Sequence, residues 1–204
     1  MSTEPFSRFR PHPWHGLPVG PDPPHLVTAY IEITPRDVIK YELDKDSGLL
    51  KVDRPQETSS SPPTLYGLIP RTYCGDRVAM LSASVDKADE DPLDICVVSE
   101  QAIDQPDILV LAKVIGGLRM IDGHEADDKI LAVLANDPVF LGDDLSTIPQ
   151  ALLGRLEHYF LTYKLVPGDL KDVRLEEAYG REHAYKVIEA AIADYNDLCY
   201  DDPK

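Results

Sequence analysis

Short stretches in which apolar and polar residues alternate fill the first two thirds of the chain. Between Val27 and Ile33 apolar side chains occupy every second position, which is the period of a half-buried β-strand. Residues 39–43 repeat this pattern, and the Asp-rich turn at 44–48 leads into a third strand at 49–54, so a hairpin is expected here. Further short strands are predicted at residues 77–81, 94–99, 108–115, 117–121 and 129–134.

After residue 145 the apolar spacing becomes that of amphipathic helices. Residues 147–150 have the form of a capping box with Pro in the first turn, and they predict a helix over 147–165 that ends near residues 167–168. A second helix is predicted over 176–199, where the apolar residues fall on one face. Many short strands followed by two helices predict an α+β, mainly β fold. We expect a small closed five-stranded OB-like barrel with extra hairpin strands and two α-helices in the C-terminal half.

The N-terminal segment has a different composition from the rest of the chain. Residues 1–25 contain seven of the 18 prolines, and Pro is excluded from helix interiors and central strands. The segment also carries Phe6, Phe9 and Trp14, which argue against a purely solvated tail. We therefore predict an extended arm over residues 1–25 that lies on the body or on a neighbouring subunit, and a single domain over 26–204.

The chain is strongly acidic. Its 204 residues include 20 Lys and Arg against 36 Asp and Glu, a formal net charge of −16, which would repel nucleic acid and anionic membranes. No apolar run approaches the roughly 20 residues that span a bilayer, and the N-terminus lacks the apolar core of a secretory signal. A cytoplasmic protein with no nucleic-acid or membrane partner is expected by default.

One cluster of carboxylates lies where a predicted strand begins. Asp89, Asp91 and Asp94 run directly into the apolar residues 95–98. Like charges this close raise one another's pKa unless cations or hydrogen bonds compensate. The cluster is therefore either an acidic surface loop or a site for hard divalent cations, which prefer carboxylate oxygen.

A second acidic cluster includes Asp122 and Asp127 and precedes the predicted strand at 129–134. Asp127 and Lys129 are two positions apart, so an extended backbone points both side chains to the same face. The pair is either an exposed ion pair, which contributes little stability, or part of a site in which the carboxylate holds a metal ion and the ammonium meets a phosphate oxygen.

Polar residues on the first strands allow the same two interpretations. The strand period places Glu32, Lys40 and Glu42 opposite the apolar faces, where they meet either solvent or a groove at the mouth of a barrel. Arg54, by contrast, shares its parity with the apolar residues of the third strand. A charge on that side needs a partner, and a bound anion would serve.

Together these residues resemble the soluble inorganic pyrophosphatases of the barrel-forming type (type I). The matching pieces occur in the family's order between residues 27 and 165, and the Asp-x-Asp-Pro-x-Asp element at 89–94 is specific. The other pieces are Glu32, Ile39-Lys40-Tyr41-Glu42, Val52-Asp53-Arg54, Tyr66-Gly67-Leu68-Ile69-Pro70, Asp122, Asp127-Asp128-Lys129 and Tyr163-Lys164.

The resemblance implies hydrolysis of inorganic pyrophosphate to two phosphates by a metal-activated water. The resemblance implies two catalytic residues, Asp91, which matches the residue that takes the proton of this water, and Tyr66. It also implies that Asp94 bridges two metal ions. Metal ligands are implied at Asp89, Asp94, Asp122, Asp127, Glu32 and Glu42. Groups that bind the two phosphates are implied at Lys40, Arg54, Tyr66, Lys129, Tyr163 and Lys164.

The chemistry of the reaction agrees with this set of ligands. Pyrophosphate is a multiply charged anion that repels a nucleophile, and two bound metal ions both screen the charge and make a nucleophile available near neutral pH. Magnesium suits all-oxygen ligation, so several Mg²⁺ ions per active site are expected, with Mn²⁺ or Zn²⁺ as substitutes. The resemblance also implies a homo-oligomer, which is hexameric in many bacterial relatives.

The chain departs from the family pattern at three places. Relatives often carry Tyr-Pro-x-Asn before the Tyr-Gly pair, whereas residues 62–65 here are Pro-Pro-Thr-Leu, so an aromatic hydroxyl and an amide near the phosphates are lost. Glu90 replaces the usual Gly, and Gly123-His124 follows Asp122 where another acidic residue is common. We expect these changes to affect substrate affinity, the shape of the loop and a peripheral metal position.

Two other interpretations remain open from the residues themselves. A metal-dependent phosphohydrolase for another phosphoanhydride or ester would use the same carboxylates, although the chain has neither G-x-x-x-x-G-K nor G-x-G-x-x-G for a nucleotide. An acidic barrel without enzymatic activity would bind calcium or a protein partner. The turn that starts at Asp44 fails as an EF-hand, because Gly48 is fifth and Pro55 is twelfth.

Overall fold

The computed structural model describes residues 10–82, 85, 87–165 and 172–200. The strands within these residues are β1 (Leu26–Ile33), β2 (Ile39–Leu43), β3 (Leu50–Pro55), β4 (Leu65–Leu68), β5 (Lys87–Ala88), β6 (Asp94–Val98), β7 (Ile108–Asp122), β8 (Glu125–Ala126), β9 (Lys129–Leu134) and β10 (Val173–Gly180). The helices are α1 (Asp76–Ala79), α2 (Gln150–Thr162) and α3 (Arg181–Tyr200), with a 3₁₀ turn at Leu145–Thr147.

Five of these strands close into a ring. They follow one another in the order β1-β4-β6-β9-β7, and β7 pairs back to β1. The pair β6–β9 is parallel, and the other ring pairs are antiparallel. β2 and β3 form a separate hairpin, and β10 adds to the outside of the ring along β7. This closed barrel with extra strands and two long helices confirms the predicted mainly β fold.

Strand β6 is buried on both faces because apolar clusters lie on each side of it. Ile95 and Val97 belong to a cluster that includes one face of α3, whereas Cys96 and Val98 belong to a second cluster that includes one face of α2. This arrangement explains the unbroken apolar run of the strand. Burial of each large aliphatic side chain stabilises the fold by about 2 kcal/mol, so the helices hold β6 firmly in place.

The strand predicted at 77–81 is wrong, because Asp76–Ala79 form a short helix. The buried carboxylate of Asp194 in α3 accepts hydrogen bonds from the backbone N–H groups of Gly75, at 3.1 Å, and Val78, at 3.2 Å. These donors are among those that a helix start leaves without a partner. The acceptor lies 119 residues from Gly75 in sequence, so no local pattern could have predicted it.

The strands predicted at 108–115 and 117–121 are one continuous strand, β7. A pair of glycines interrupts the hydrophobic alternation, and the register with β9 shifts at this point, as in a β-bulge. A Cβ atom on Gly117 would overlap the ring of Tyr179 in β10. Glycine is therefore needed at this position, where β10 pairs with β7 beside the bulge.

Both predicted helices are present, but their starts differ from the prediction. The first begins at Gln150 instead of 147, because Asp144 caps a separate 3₁₀ turn by accepting a hydrogen bond from Ser146 N–H at 2.8 Å. It ends at Thr162, so the predicted end at 165, near residues 167–168, is too late. Within the described part of the chain, no helix is long and apolar enough to cross a membrane.

The second helix begins at Arg181 instead of 176. Residues 173–180 form β10, which pairs antiparallel with β7. The run Glu-Glu-Ala at 176–178 favours a helix by local propensity. Pairing along a 15-residue neighbouring strand overrides this weak preference, because tertiary contacts outweigh propensities of a few tenths of a kcal/mol.

The described part of the N-terminal segment lies against the barrel. Trp14 is buried in a cluster with Tyr30 and Leu43, and its indole N–H donates a hydrogen bond to the carbonyl of Thr72 at 2.8 Å. His15 Nδ1 lies 2.8 Å from the hydroxyl of Tyr195 in α3. The turn around Trp14 is therefore anchored to both the barrel and a helix.

Candidate active site

A cavity of about 600 Å³ lies at the end of the barrel where β6 and β9 begin. Its lining includes every site residue that the sequence predicts, except Arg54. These lining residues are Glu32, Lys40, Glu42, Tyr66, Asp89, Asp91, Asp94, Asp122, Asp127, Lys129, Tyr163 and Lys164. Side chains that are up to 132 positions apart in the sequence, from Glu32 to Lys164, therefore share one space.

Lys129 lies at the centre of the acidic part of the cavity. Its ammonium, with the side chain only 2% exposed, contacts the carboxylates of both Asp94 and Asp127. Burial opposes its charge, but the two carboxylates raise the pKa of Lys129 well above its ordinary value. The Tyr66 hydroxyl donates to Asp94 at 2.5 Å, and burial together with Asp94 raises the pKa of Tyr66 well above its usual range. Near neutral pH Lys129 is therefore a cation and Tyr66 a neutral donor.

Asp89 and Glu32 are carboxylates that the protein's own groups leave poorly compensated. Burial, together with repulsion from Asp127, raises the pKa of Asp89 to about 9. Burial also raises the pKa of Glu32 to about 8, although Glu32 accepts a hydrogen bond from Leu43 N–H at 2.6 Å. A bound divalent cation would stabilise the ionised form of both groups. All the acidic groups in this set offer carboxylate oxygens, which fit a hard cation.

Other carboxylates of the cavity contact lysine ammonium groups. Lys164 contacts Asp122, just as Lys129 contacts Asp94 and Asp127. Within the described residues, no three acidic, histidine or cysteine side chains are placed so that they could hold one metal ion together. The donor chemistry fits metal ions, while the side chains as they stand form carboxylate–ammonium pairs.

The hairpin β2–β3 brings further charges to the cavity rim. Lys40 contacts Glu42, and its Nζ atom lies 3.2 Å from an Asp53 carboxylate oxygen. Arg54 pairs with Lys40 across the two strands, but its guanidinium contacts Asp53. Of the residues predicted to bind phosphate, Arg54 is thus the one that the structure leaves outside the cavity lining.

Several lining residues are not among those predicted from the sequence, and two of them, Lys45 and Tyr159, bear polar groups of interest. Lys45 lies in the hairpin turn and contacts Asp91; a turn lysine carries no periodic signal that could have identified it. Tyr159 of α2 stacks on Tyr163, with ring centroids 5.1 Å apart, and also lines the cavity. It occupies a position of the apolar helix face, so the helical pattern indicated only a core residue.

Fold and cavity together define a class of protein. A closed barrel whose cavity combines carboxylates with lysines and phenols has the donor chemistry for hard cations and phosphate anions, which is the chemistry that a metal-dependent hydrolase of phosphate compounds uses. Comparison with known proteins narrows the class. A sequence profile of the family described as "Inorganic pyrophosphatase" matches residues 29–196.

Relatives and solved structures agree with this profile. The chain is 48% identical over 209 aligned positions to an inorganic pyrophosphatase of Chlamydia muridarum, which covers 97% of this chain and 99% of the relative. It is 37% identical to "Soluble inorganic pyrophosphatase 2" of Chlamydomonas reinhardtii, covering 91% of this chain and 89% of the relative. The crystal structure of the inorganic pyrophosphatase from Thermus thermophilus superposes with a TM-score of 0.77 at 31% identity, covering 91% of this chain and 99% of that one.

The chain therefore belongs to the soluble inorganic pyrophosphatases of family I, enzymes that hydrolyse inorganic pyrophosphate. The family, the enzyme class and the reaction expected from the sequence are thereby confirmed. Enzymes of this family generally depend on metal ions.

Proposed function

We propose that the cavity binds pyrophosphate together with Mg²⁺ ions and that Asp91 takes the proton of the attacking water. The observation that carries this proposal is the convergence of the carboxylates and lysines on one cavity at the barrel mouth. Asp91 is 48% exposed on its side chain, whereas Asp94 is 20% and Asp127 10% exposed. It is therefore the aspartate of these three with the freest access to water, which suits a proton acceptor.

The metal ligands of this proposal are six of the carboxylates that line the cavity. Asp89, Asp94 and Asp127 would hold the ions that activate the water, with Asp94 shared between them. Glu32, Glu42 and Asp122 would hold the ions that arrive with the substrate. When bound, such ions lower the pKa of water and screen the charge of the phosphates. Mg²⁺ suits this all-oxygen set, and Mn²⁺ and Zn²⁺ are the substitutes to compare.

The lysines supply the charge that holds the phosphates. Each of Lys40, Lys129 and Lys164 contacts a carboxylate that the proposal assigns to a metal ion. An ammonium released from its carboxylate would be available to phosphate oxygens in the same cavity, and the carboxylate would then be free to hold a divalent ion. These ammonium groups stabilise the charge that develops on the leaving phosphate.

Neutral and planar donors complete the phosphate site of the proposal. Tyr66 and Tyr163 line the cavity and would donate hydrogen bonds to phosphate oxygens, with Tyr66 next to the reacting centre through its bond to Asp94. Arg54 remains assigned to a phosphate although it contacts Asp53 here. Its guanidinium would have to exchange that carboxylate for the substrate, which a rotation of this partly exposed side chain allows.

Assembly and location remain parts of the proposal. We propose that the chain forms a homo-oligomer in the cytoplasm, with pyrophosphate as its small-molecule partner and with no nucleic-acid or membrane partner. The net charge of −16 supports the last point, because polyanions are repelled from such a surface. Size-exclusion chromatography with light scattering measures the oligomer directly, and a monomer at micromolar concentration would contradict it.

A phosphate-release assay tests the proposed function. The purified chain should release phosphate from pyrophosphate with Mg²⁺, lose this activity in EDTA and recover it when Mg²⁺ is returned. ATP in place of pyrophosphate should release far less, because no glycine motif for a nucleotide is present. Faster release from ATP would indicate a general phosphohydrolase, and binding of calcium without any release would indicate a non-enzymatic module.

A further inference from the structure

The turn between β2 and β3 reaches the cavity through Lys45. The Lys45 ammonium contacts the carboxylate of Asp91, and both side chains line the cavity. Lys45 is 51% and Asp91 48% exposed, so the pair lies at the solvent-exposed mouth of the cavity. Among the described residues, Lys45 is the cation that forms an ion pair with Asp91. The position of Lys45 therefore affects the orientation of Asp91, the proposed proton acceptor.

The turn that carries Lys45 is internally ordered. Asp44 Oδ1 accepts hydrogen bonds from Ser47 N–H at 2.9 Å and from the Ser47 hydroxyl at 2.7 Å. Gly48 N–H donates to the Asp44 carbonyl at 2.8 Å, and Gly48 has φ +69°, which is the left-handed region where glycine is favoured. Such Asx-type bonds make the turn a defined unit, so a contact to any part of it also orients Lys45.

The N-terminal segment provides such a contact through His12. Nδ1 of His12 accepts from the backbone N–H groups of Trp14, at 3.2 Å, and His15, at 3.3 Å. Because Nδ1 is an acceptor for both, the ring carries its proton on Nε2. Nε2 lies 3.1 Å from the carbonyl oxygen of Lys45 and therefore donates to it.

Packing reinforces this hydrogen bond. A Cβ atom on Gly48 would lie 2.7 Å from Cδ2 of the His12 ring, so the imidazole rests directly on the turn where only glycine leaves room. On the other side, the buried Trp14 anchors the segment to the barrel through its bond to Thr72. His12 thus joins the N-terminal segment, which Trp14 anchors to the barrel, to the turn that carries Lys45.

We propose that Lys45 positions Asp91 for proton transfer and that His12 of the N-terminal segment holds Lys45 in place. This inference rests on the proposed role of Asp91. Lys45 acts through Asp91, and His12 acts through the backbone of Lys45, so both are positioning residues. A general base must lie within hydrogen-bond reach of the proton that it abstracts, and small misplacements of such a group reduce turnover strongly.

Substitution of Lys45 tests the first half of the proposal. With saturating Mg²⁺, Lys45→Met should lower kcat for pyrophosphate about tenfold without a change in KM, and Lys45→Arg should restore most of the loss because it keeps the charge. In the Asp91→Asn background, Lys45→Met should have no further effect. An unchanged kcat in Lys45→Met would overturn the proposal. So would a rise in KM alone, because it would show that Lys45 binds the substrate instead.

Substitution of His12 tests the second half with a matched control. His12→Asn retains a side-chain acceptor for the backbone N–H groups of the local turn but is too short to reach Lys45. It should lower kcat about threefold to tenfold, as expected for one lost hydrogen bond, and should add nothing to Lys45→Met. His15→Phe removes the contact to Tyr195 in α3 and should keep the wild-type kcat.

The controls separate this inference from the proposed function. Additive losses from His12→Asn and Lys45→Met, or an equal loss in His15→Phe, would show that the segment acts by another route and would overturn it. Thermal unfolding of each variant shows whether the fold is intact. Should Asp91→Asn keep full turnover, the role of Asp91 itself would be refuted. A large loss in Asp91→Asn beside normal kcat in Lys45→Met would refute only this inference.

Discussion

Asp94 and Lys129 face each other as the first residues of the two parallel strands β6 and β9. Because parallel strands begin at the same end of a barrel, their first side chains meet at its mouth, although the residues are 35 positions apart. The next residues along, Ile95 and Ile130, are fully buried. The step from polar to apolar residues in each strand thus coincides with the step from cavity to core.

Lys129→Met should destabilise the metal-free protein. It would leave Asp94 and Asp127 without their ammonium partner in a buried place, and such a loss typically costs about 3–5 kcal/mol. Mg²⁺ should restore part of the Tm because it neutralises the same carboxylates. Thermal unfolding in EDTA and in Mg²⁺ measures both effects. Lys87→Met, which removes an exposed pair with Glu125, should change Tm little; a Tm loss in Lys129→Met that Mg²⁺ does not reduce would contradict the prediction.

Asp91→Asn and Asp94→Asn should fail in different ways. Removal of the proposed proton acceptor in Asp91→Asn should reduce kcat by about 10²–10⁴-fold with a modest loss of Mg²⁺ affinity. Asp94→Asn should strongly reduce both kcat and Mg²⁺ affinity, because this carboxylate contacts Lys129 and Tyr66 in the cavity. Steady-state assays and calorimetric titration with Mg²⁺ distinguish the two. Similar losses of turnover and of metal affinity in both variants would rule out separate roles.

Tyr159→Phe should weaken substrate binding. Residues 62–65 are Pro-Pro-Thr-Leu, where the family resemblance leads us to expect an aromatic hydroxyl, and Tyr159 offers a phenol in the cavity, stacked on Tyr163. Burial and Tyr163 raise the pKa of Tyr159, so its hydroxyl stays protonated and can donate to a phosphate. A lost hydrogen bond to a charged group should raise KM about tenfold. Tyr185→Phe serves as the control outside the cavity, and equal KM values for the two variants would refute the role of Tyr159.

Asp137 should make the stability of the fold depend on acid pH. Its buried carboxylate accepts from the backbone N–H groups of Glu100, at 2.7 Å, and of Val139 and Phe140, both at 2.9 Å. Burial opposes its ionisation, but these donors hold the pKa of Asp137 below its ordinary value. Because the folded pKa is depressed, the contribution is present above the unfolded value of about 3.9 and is lost as the pH falls through the folded pKa.

Asp137→Asn should therefore lower the free energy of unfolding by about 1–2 kcal/mol near neutral pH, and the difference from wild type should shrink below about pH 4. Urea unfolding over a pH series measures this. Asp104→Asn, which removes an exposed pair with Arg36 at 3.6 Å, should have little effect at any pH. If Asp137→Asn lowered the free energy of unfolding by the same amount in acid and at neutral pH, the proposed link between Asp137 ionisation and stability would be contradicted.

The two helix starts show where the sequence pattern was sufficient and where it failed. The apolar spacing of α2 was recognised because residues three and four apart lie on one helix face whatever surrounds them. The start of α3 was misplaced, because residues 173–180 pair with β7 and no local pattern reports that pairing. The short helix α1 was predicted as a strand for the same reason, since its N-terminus is completed by Asp194.

The candidate site likewise contains residues that the sequence pattern predicted and residues that it did not. The two-residue spacing was enough to place Asp127 and Lys129 on one face, because successive side chains alternate along any extended backbone, and the two side chains do contact each other. No sequence pattern indicates that Lys45 and Tyr159 line the cavity, because they reach it only through the packing of a turn and a helix against distant strands. Arg54 was grouped with the phosphate ligands, yet its neighbour Asp53 holds its guanidinium.

By itself the sequence determined most of the barrel strands, the apolar faces of the two long helices and the acidic segments that carry the family resemblance, since each depends on side-chain periodicity or on residue types at short spacing. Only the tertiary structure decided that β7 closes the ring on β1, that the carboxylates and lysines share one cavity, and that His12 meets the turn of Lys45. These relations join residues far apart in the chain, and they form because burial of the apolar faces fixes how the elements pack, a choice that no short window of sequence contains.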